Sequence, residues 1–295
     1  MAQAKRKLVS IILLNWNGIA VLKDCLASIK KNTLYPNYET IVIDQGSTDG
    51  SKELMKSKYK WVQIIENPTN YGIPKASNQG FRKGKGEYFM LMSNDTITTS
   101  GWMTAMVDLM ESDNRIASVG ATLVGRGEGS KVKSKPIDKT RASVCSATML
   151  MKRKAYQHFG GYDEKSFSPY GGDETDWNLR AWNAGYKVIE TERAIIEHVG
   201  SHDTKRQNPK QYLLLNEHRL RSMFYNLGFF GMIQRIPGLG LLFLQSFPDG
   251  KTLTLIQSYW NNLLNWRGIM AGRKKRAEQL KKMLEEQKQQ GEAWF

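Results

Sequence analysis

The residues best suited to chemistry follow a short apolar run at positions 88–92. This run is too short for a helix and predicts a buried strand. Residues 93–96 then place a carboxylate, an amide and hydroxyl groups at the carboxyl end of the strand, where open α/β sheets bind their ligands. Because Mg²⁺ and Mn²⁺ prefer oxygen ligands and often take only one or two carboxylates, Asp95 is a candidate metal ligand. The alternative is an ordinary strand-to-loop turn, which these residues taken alone favour.

A second candidate for chemistry is the acidic cluster of Asp173, Glu174 and Asp176, which follows two glycines. Acids in the first turn of a helix are stabilised by the positive end of the helix dipole, and this is the purely structural explanation. That explanation does not account for the crowding of the acids, with Arg180 one turn further on. Like charges in a cluster raise some of their pKa values, which suits a general base.

His198 is a further candidate, because it follows a predicted strand at 194–196. A lone histidine at a strand end is usually packed or solvated. A metal held by one carboxylate needs more ligands, however, and imidazole is a common one. His198 is therefore a second candidate metal ligand.

Alternating strands and helices must position these residues. Short apolar runs predict buried strands, and apolar residues at helical spacing predict the helices between them. Asn15 and Asp44 follow the first two strands and lie at the same sheet edge as Asp95. The alternation is typical of a largely parallel sheet with right-handed crossovers. Strands are expected at 8–14, 40–43, 62–65, 88–92 and 116–124, and helices at 20–31, from 51, at 75–83 and at 101–110.

The second half of the chain is less regular. Residues 125–141 contain several Gly, Ser and Lys and few apolar residues, so they predict an exposed, mobile loop. A helix is expected at 152–159, and short strands at 187–189 and 194–196. No GxGxxG or GxxxxGK[ST] motif follows a predicted strand, which counts against a dinucleotide or P-loop site.

The last third of the chain predicts helices. The helix at 211–227 carries charged residues on one side, and residues 227–247 are apolar but too often interrupted to span a bilayer. Tyr259 and the tryptophans near it, with basic residues beyond them, are typical of an interfacial membrane anchor. The alternative is packing on the catalytic domain or on a second subunit. Residues 273–290 predict an exposed charged helix.

Composition limits the partners. The chain of 295 residues is long enough for one large α/β core with an appendage, and its net charge of +15 favours a negatively charged partner. No nucleic-acid-binding motif is present, so nucleic acid is not an expected partner. The cysteines at 25 and 145 have no disulfide or metal spacing, which favours a reducing compartment. The apolar run at 8–14 is expected to be a strand, not a signal peptide.

Taken together, these segments resemble the family 2 glycosyltransferases of the GT-A fold, of the rhamnosyltransferase-like kind. The resemblance covers about the first 225 residues in the family's order, and the joint occurrence of the motifs is far more specific than any one of them. It favours metal binding by Asp95 over a plain turn. The segments that carry it are 9–18, 43–51, 70–72, 78–80, 93–96, 160–164, 173–176, 180–186 and His198.

The resemblance implies a sugar-nucleotide donor, a divalent metal (Mn²⁺ or Mg²⁺) on its diphosphate, and transfer with inversion. Asp95 matches the metal-binding position of the family's DXD element, and His198 matches a further metal ligand. Glu174 matches the position of the general base, with Asp173 as the alternative because the two acids are reversed. The implied donor-binding residues are Asn15, Asn17, Asp44, Gln45, Ser47, Asn70, Gly72, Asn78, Asn94 and Asp95.

The departures from the family pattern define the alternatives. Asn94 replaces the first acid of the DXD element, and Gln45 replaces the acid or amide that many relatives carry beside Asp44. A Gln amide both donates and accepts, so it can still pair with uracil or thymine, and UDP- or dTDP-sugars are the expected donors. The acceptor is expected to be a glycan or a lipid-linked glycan. A catalytically inactive relative that binds a nucleotide sugar or glycan, and a nucleotidyltransferase, are the competing hypotheses.

The expected organisation is a GT-A catalytic domain at about 1–205, with a nucleotide-sugar half at about 1–124 and an acceptor half at about 125–205. A helical region at 206–295 follows, for which membrane association and oligomerisation are both open. The expected location is the cytoplasm. Peripheral attachment to the cytoplasmic face of a membrane is an open alternative.

Overall fold

The computed structural model describes residues 6–128, 135–200 and 208–289. Within these residues the strands are β1 (Val9–Asn15), β2 (Tyr38–Gln45), β3 (Val62–Asn67), β4 (Tyr88–Ser93), β5 (Thr96–Thr98), β6 (Ile116–Val124), β7 (Asp138–Thr140), β8 (Thr148–Lys152) and β9 (Lys187–His198). They form a single sheet in the order β3-β2-β1-β4-β8-β6-β9-β5, and β7 pairs with β9.

Helices flank this sheet on both faces. The first seven are α1 (Ile19–Asn32), α2 (Ser51–Lys58), α3 (Ile73–Lys83), α4 (Trp102–Ser112), α5 (Arg153–Phe159), α6 (Glu164–Phe167) and α7 (Asp173–Asn183). One apolar cluster joins the sheet to α1, α2 and α4, and the other joins it to α3, α5 and α7. Successive residues of β1 point to opposite faces, so Ile11 and Leu13 pack in the first cluster and Ile12 packs in the second.

The first four strands of the sheet are parallel, with β1 between β2 and β4 and β3 at the outer edge. The predicted strands and helices of this half are all present, with bounds that differ by a few residues from the predicted ones. The prediction of an α/β architecture with a mostly parallel sheet is confirmed. Long apolar runs determine this half because both faces of each strand are buried.

Two predictions in the second half are wrong. The expected strands at 187–189 and 194–196 are one continuous strand, β9, whose pairing with β6 shifts register between Thr191 and Ile195. The charged residues at this irregularity looked like a break, but Glu192 accepts a hydrogen bond from Lys139 of β7 at 3.1 Å. β7 itself lies within the expected loop at 125–141, of which residues 129–134 are outside the described part of the chain.

Five helices follow the sheet: α8 (Pro209–Asn226), α9 (Phe229–Ile233), α10 (Ile236–Ser246), α11 (Thr252–Leu264) and α12 (Trp266–Gln289). Helix α8 packs against α7, and both α11 and α12 pack against α8. None of the helices in the described ranges combines the length and the apolar content needed to cross a membrane. The predicted domain boundary at 205–206 falls within residues 201–207, outside the described part of the chain, and stays a prediction.

On α8, His218 is buried, and its Nδ1 lies 2.8 Å from the carbonyl oxygen of Tyr170. One expectation for this region is corrected by the packing, because helix α12 is not simply exposed. Met283 joins the second apolar cluster, and Arg273 donates hydrogen bonds to the carbonyl oxygens at the end of α8. A polar sequence pattern cannot reveal such contacts, since they join residues far apart in the chain.

Candidate active site

The carboxyl ends of β1, β2 and β4 bring the predicted donor-binding residues to one edge of the sheet. The register pairs Asn15 with Asp44, and Leu14 with Ser93, so the polar residues that end these strands lie side by side. Parallel strands necessarily place their carboxyl ends at the same edge, which explains why distant segments of the sequence meet here.

A buried hydrogen-bond network connects this edge. Asn15 donates from Nδ2 to Asp44 Oδ2 at 3.0 Å and to Ser47 Oγ at 3.2 Å, and the backbone nitrogen of Ser47 donates to Asp44 Oδ1 at 2.9 Å. Asn17 has a left-handed backbone with φ of 49°, and its backbone nitrogen donates to Ser47 Oγ at 2.9 Å. Asn94 completes the network by donating to Asn15 Oδ1 at 2.8 Å. These bonds hold the loops after β1, β2 and β4 in one arrangement.

Gln45 connects the network to the loop at 70–72. Its Oε1 accepts a hydrogen bond from the backbone nitrogen of Tyr71 at 3.0 Å. Gly72 in this loop has φ of 82°, and a Cβ there would lie 2.5 Å from the carbonyl oxygen of Pro169. Any residue other than glycine at this position would clash with Pro169. The contact joins the loop after β3 to the segment that leads into α7, which carries the acidic cluster.

Asp95 lies in the turn between β4 and β5, beside the end of β9. Its Oδ1 is 3.1 Å from Nε2 of His198, and its carbonyl oxygen accepts a hydrogen bond from Val199 at 2.8 Å. Burial alone would raise the pKa of Asp95, but hydrogen bonds from His198 and Ser93 outweigh that effect and hold the pKa below its usual value. The structure therefore brings the two predicted metal ligands together, with Asp95 ionised.

The residues present fit a divalent metal that is also held by its substrate. Among the described residues, no group of three or more His, Cys, Asp or Glu side chains could hold a metal ion. Mg²⁺ and Mn²⁺ sites that act on phosphates commonly use one or two protein ligands, and phosphate oxygens and water complete the coordination. Asp95 and His198 supply an oxygen and a nitrogen of this kind. His202, close by in the sequence, lies outside the described residues.

The acidic cluster begins helix α7 at a turn of two glycines. Gly171 and Gly172 have φ of 92° and 76°, in the left-handed region that favours glycine. A Cβ at Gly172 would lie 2.6 Å from the carbonyl oxygen of His218, so α8 packs directly against this turn. The backbone nitrogen of Gly171 donates to Asp173 Oδ1 at 2.9 Å. The turn thereby determines where the two candidate acids point.

Asp173 and Glu174 have different environments. Asp173 is only 1% exposed, and its Oδ2 has no hydrogen-bond partner within the described residues, whereas Glu174 is half-buried. Burial, followed by the negative charge of Glu174, raises the pKa of Asp173 well above its usual value. Burial and the neighbouring negative charge therefore favour the protonated form of Asp173.

Asn78 lies apart from the other predicted donor-binding residues. Its amide donates to the carbonyl oxygen of Tyr162 at 2.9 Å and to Glu164 at 2.8 Å, and its Oδ1 accepts from the backbone nitrogen of Tyr162. These contacts connect α3 to the segment before α6. A donor-binding role for Asn78 stays a prediction, and its observed contacts are internal to the fold.

Two residues beside the acids had no role in the sequence analysis. The buried hydroxyl of Tyr162 has no hydrogen-bond partner within the described residues, and the charges of Asp173 and Glu174 act on it. Arg219 is exposed on α8, next to the residue that packs against Gly172. Tyr162 lies in the segment 160–164 that carries the family resemblance, and no motif marks Arg219. Each residue reaches the site only through the packing of α8 and of the segment before α6.

A buried ion network supports α7 from behind. Asp176, whose side chain is fully buried, accepts a hydrogen bond from Arg180 Nε at 3.0 Å and another from Asn226 at 2.8 Å. Arg276 of α12 lies 3.0 Å from Asp176 and from Asp163. The network thus ties α8 and α12 to the helix that carries Glu174, and accounts for the third acid of the cluster.

Replacing Asp176 by alanine is expected to lower the free energy of unfolding by about 3–5 kcal/mol, because the buried Arg180 would lose its ion pair and Arg276 would keep only Asp163. Denaturant unfolding followed by circular dichroism measures this change. Glu285→Ala is the control, since the pair of Lys281 and Glu285 is exposed and such a pair contributes about 0–1 kcal/mol. Equal losses in the two variants would contradict the structural role of Asp176.

Comparison with known families gives one match that covers more than half of the chain. The family model described as Glycosyl transferase family 2 matches residues 10–167. An uncharacterized glycosyltransferase of Haemophilus influenzae is 29% identical over 193 residues, 58% of this chain and 59% of that protein. Glycosyltransferase GlyG of Streptococcus pneumoniae is 26% identical over 117 residues, 39% of this chain and 38% of that protein. The chain thus spans less than two thirds of the length of either relative.

Solved structures extend the similarity beyond the family match. GalNAc-T7, crystallised with UDP, GalNAc and Mn²⁺, matches with a TM-score of 0.61 at 14% identity, over 74% of this chain and 48% of that one. The mannosyltransferase PcManGT of Pyrobaculum calidifontis, in complex with GDP-Man and Mn²⁺, matches with a TM-score of 0.57 at 14% identity, over 96% of this chain and 75% of that one. At such low identity the similarity concerns the fold alone.

Proposed function

Because the chain belongs to glycosyl transferase family 2, we propose that it transfers a sugar from a nucleoside diphosphate to a hydroxyl group of a glycan or lipid-linked acceptor. The predicted GT-A fold is confirmed by the solved structures that match it. The observation that carries the proposal is the hydrogen-bonded edge of the sheet, where Asn15 donates to Asp44 and Ser47, and where Asp95 lies 3.1 Å from His198. The close approach of Gly72 to Pro169 connects this edge to the segment that leads to Glu174. This arrangement supports a donor and an acceptor held in one cavity.

The proposed reaction is a single displacement with inversion. The acceptor oxygen forms a bond to the anomeric carbon as the bond from that carbon to the diphosphate oxygen breaks. The bonding electrons leave with the nucleoside diphosphate, and Glu174 takes the proton of the acceptor hydroxyl. Because the displacement occurs in one step, one base suffices and no covalent nucleophile is needed, by analogy with inverting hydrolysis.

Glu174 is the proposed base and Asp173 its supporting neighbour. A base must be reachable by the acceptor, and the half-buried Glu174 meets this requirement better than the buried Asp173. Asp173 favours its protonated form, in which its carboxyl group can donate a hydrogen bond to Glu174 and orient it. The reversed order of the acids relative to the family pattern is consistent with this division of roles.

The donor side is proposed to use the network at the sheet edge. Asp95 and His198 would hold a divalent metal, Mn²⁺ or Mg²⁺. Such a metal would supply positive charge that stabilises the diphosphate as it leaves. Arg219 is a further cation near this cavity. Gln45 and Asp44 would meet the nucleoside, and UDP- or dTDP-sugars are the proposed donors because a Gln amide can pair with uracil or thymine.

Two other activities make different products. A nucleotidyltransferase would release pyrophosphate, and an inactive relative would bind the nucleotide sugar or glycan without converting it. The replacement of the first DXD acid by Asn94 is the feature that favours an inactive relative. Against it, Asn94 donates to Asn15 within an intact network, and Asp95 stays ionised beside His198.

A panel of UDP-, dTDP- and GDP-sugars is expected to separate these activities. With Mn²⁺ present, the true donor at about 100 times its Kd should stabilise the folded chain by about 2.7 kcal/mol, which corresponds to a melting-temperature rise of roughly 5 °C or more. Chelation of the metal should remove most of this rise. Product analysis should then find nucleoside diphosphate with the stabilising donor. Pyrophosphate would indicate a nucleotidyltransferase, and stabilisation without any turnover would indicate an inactive relative.

The location and partners of the whole protein are also proposals. We place it in the cytoplasm, where nucleotide sugars are available to it. The helical region at 206–295 is proposed to meet either an anionic membrane surface or a second copy of the chain. The division into a catalytic domain at about 1–205 and this region follows the change from strands to helices.

A further inference from the structure

Helix α11 is amphipathic in the opposite sense to an ordinary surface helix. Its buried residues are Leu255, Ser258 and Asn262, two of them polar. Asn262 donates from Nδ2 to the carbonyl oxygen of Glu217 on α8 at 2.9 Å, so the polar side of α11 is the side that packs on the protein. A helix on a water-exposed surface normally buries its apolar stripe instead. The apolar side of α11 points outward and requires another explanation.

Helices α9 and α10 continue this outward apolar surface. No residue of α9 is buried, and Ser246 is the single buried residue of α10, although both helices consist mainly of large apolar residues. Of the 18 large hydrophobic side chains that are exposed in the described part of the chain, 14 lie between 229 and 270. We call this set the apolar face: Phe229, Phe230, Ile233, Ile236, Leu241, Leu244, Phe247, Leu253, Ile256, Trp260, Leu263, Leu264, Trp266 and Met270. A concentration of exposed apolar side chains of this kind marks an interaction site.

The charges beside the apolar face distinguish between its two candidate occupants. Residues 229–277 contain seven Lys or Arg and one acid, Asp249. Arg235, Arg267, Lys274 and Lys275 are exposed among them. A second copy of the chain would bring the same positive charges together, and the whole chain already carries a net charge of +15. An anionic lipid surface offers both hydrocarbon for the apolar side chains and negative charge for the basic ones.

We propose that the apolar face of α9, α10 and α11, with the start of α12, inserts into one leaflet of an anionic membrane and lies parallel to its surface. The tryptophans at 260 and 266 suit the boundary between headgroups and hydrocarbon, where aromatic rings with a polar atom are favoured. Because α11 packs on α8, the attachment is continuous with the helix that supports the glycine turn of the candidate active site. This inference concerns binding and does not depend on the proposed transfer reaction.

Vesicle sedimentation of the full chain tests the proposal. The protein is expected to sediment with vesicles of phosphatidylglycerol and phosphatidylcholine. Its affinity for vesicles of phosphatidylcholine alone should be at least about tenfold lower, because each basic residue near an anionic surface adds electrostatic attraction. Neither measurement uses a sugar nucleotide, so the result is separate from the test of activity. Absence of binding to both kinds of vesicle would overturn the proposal.

A matched pair of leucine variants tests whether the apolar face is the part that binds. Leu264 and Leu34 are both 71% exposed, but Leu34 lies outside the apolar face. Leu264→Asn should weaken vesicle binding roughly tenfold, and Leu34→Asn should leave it unchanged. Adding Leu253→Asn to the first variant should deepen the loss. Since these side chains are exposed, none of the variants should lower the melting temperature. Equal binding by the Leu264 and Leu34 variants would overturn the proposal.

The same leucine variants also test whether the apolar face binds a second copy of the chain. Light scattering without lipid measures the mass of the chain across a range of concentrations. If the face binds lipid, the wild-type chain in a mild detergent should have the mass of one copy. A dimer that persists in detergent and is dissociated by Leu264→Asn would assign the apolar face to a second copy, and would overturn the membrane proposal.

Discussion

Glu174→Gln is expected to lower kcat by about 10²–10⁴-fold while the donor's dissociation constant stays unchanged. Glutamine keeps the size of the side chain but cannot accept the proton of the acceptor hydroxyl, so the loss falls on the chemical step. Initial rates of nucleoside diphosphate release give kcat, and donor-dependent thermal stabilisation in Mn²⁺ gives binding. A loss of this size with intact donor binding would place Glu174 on the acceptor side of the reaction.

Asp173→Asn is the matched control for this variant. Asparagine resembles a protonated aspartic acid, since its oxygen can accept the hydrogen bond from Gly171 and its amide can donate to Glu174. We therefore expect Asp173→Asn to keep most of the wild-type rate. The reverse result, with an active Glu174→Gln and an inactive Asp173→Asn, would assign the base to Asp173. Substantial activity in both variants would contradict a role for this acid pair in proton transfer.

Asp95→Ala is expected to weaken donor binding in Mn²⁺ by about 100-fold or more. Changing a residue that merely supports a metal ligand already costs about 10–100-fold in affinity or activity, and a direct ligand should cost at least as much. Calorimetric titration of the nucleotide sugar measures this change. In the presence of a chelator, the wild type and Asp95→Ala should bind the donor equally weakly, because the missing interaction is the one through the metal.

Asp108→Ala provides the comparison for Asp95→Ala. Asp108 lies on α4, away from the sheet edge. Its side chain is 51% exposed and pairs with Arg6. Its removal should leave donor binding in Mn²⁺ unchanged. Equal donor affinity in Asp95→Ala and wild type, with Mn²⁺ present, would remove Asp95 from the metal site. Such a result would indicate that Asp95 is an ordinary turn residue, which is the alternative that its short sequence motif allows.

The distribution of correct and incorrect expectations along the chain has a physical pattern. Within residues 8–124 the predicted strands and helices are all present, because parallel strands covered on both faces need continuous apolar runs, and helices between them need an apolar stripe. The short strand β5, which pairs antiparallel with β9, was not predicted. The single strand β9 was predicted as two, since its charged middle pairs with β7, a strand that has no apolar signal of its own. Prediction from the local pattern fails where polar residues form hydrogen bonds with a segment that is distant in the sequence.

The C-terminal helices show the same limit. Their positions follow from the sequence, but the side of each helix that packs does not. The pattern at 273–290 predicted an exposed helix, whereas Arg276 reaches Asp163 and Asp176, which lie a hundred or more residues earlier in the chain. Likewise, α11 contains an apolar and a polar side, and its sequence cannot show that the polar side is the one that faces α8.

The sequence alone determined the α/β architecture, the strand ends that carry Asn15, Asp44 and Asp95, and the acidic start of α7, because each depends on residues close together in the chain. Only the tertiary structure decided how these parts meet. It placed His198 against Asp95, raised the pKa of Asp173 through burial beside Glu174, and brought α8 and α12 behind the acidic helix. These outcomes depend on burial and on distances between remote segments, which arise when the sheet and helices pack together.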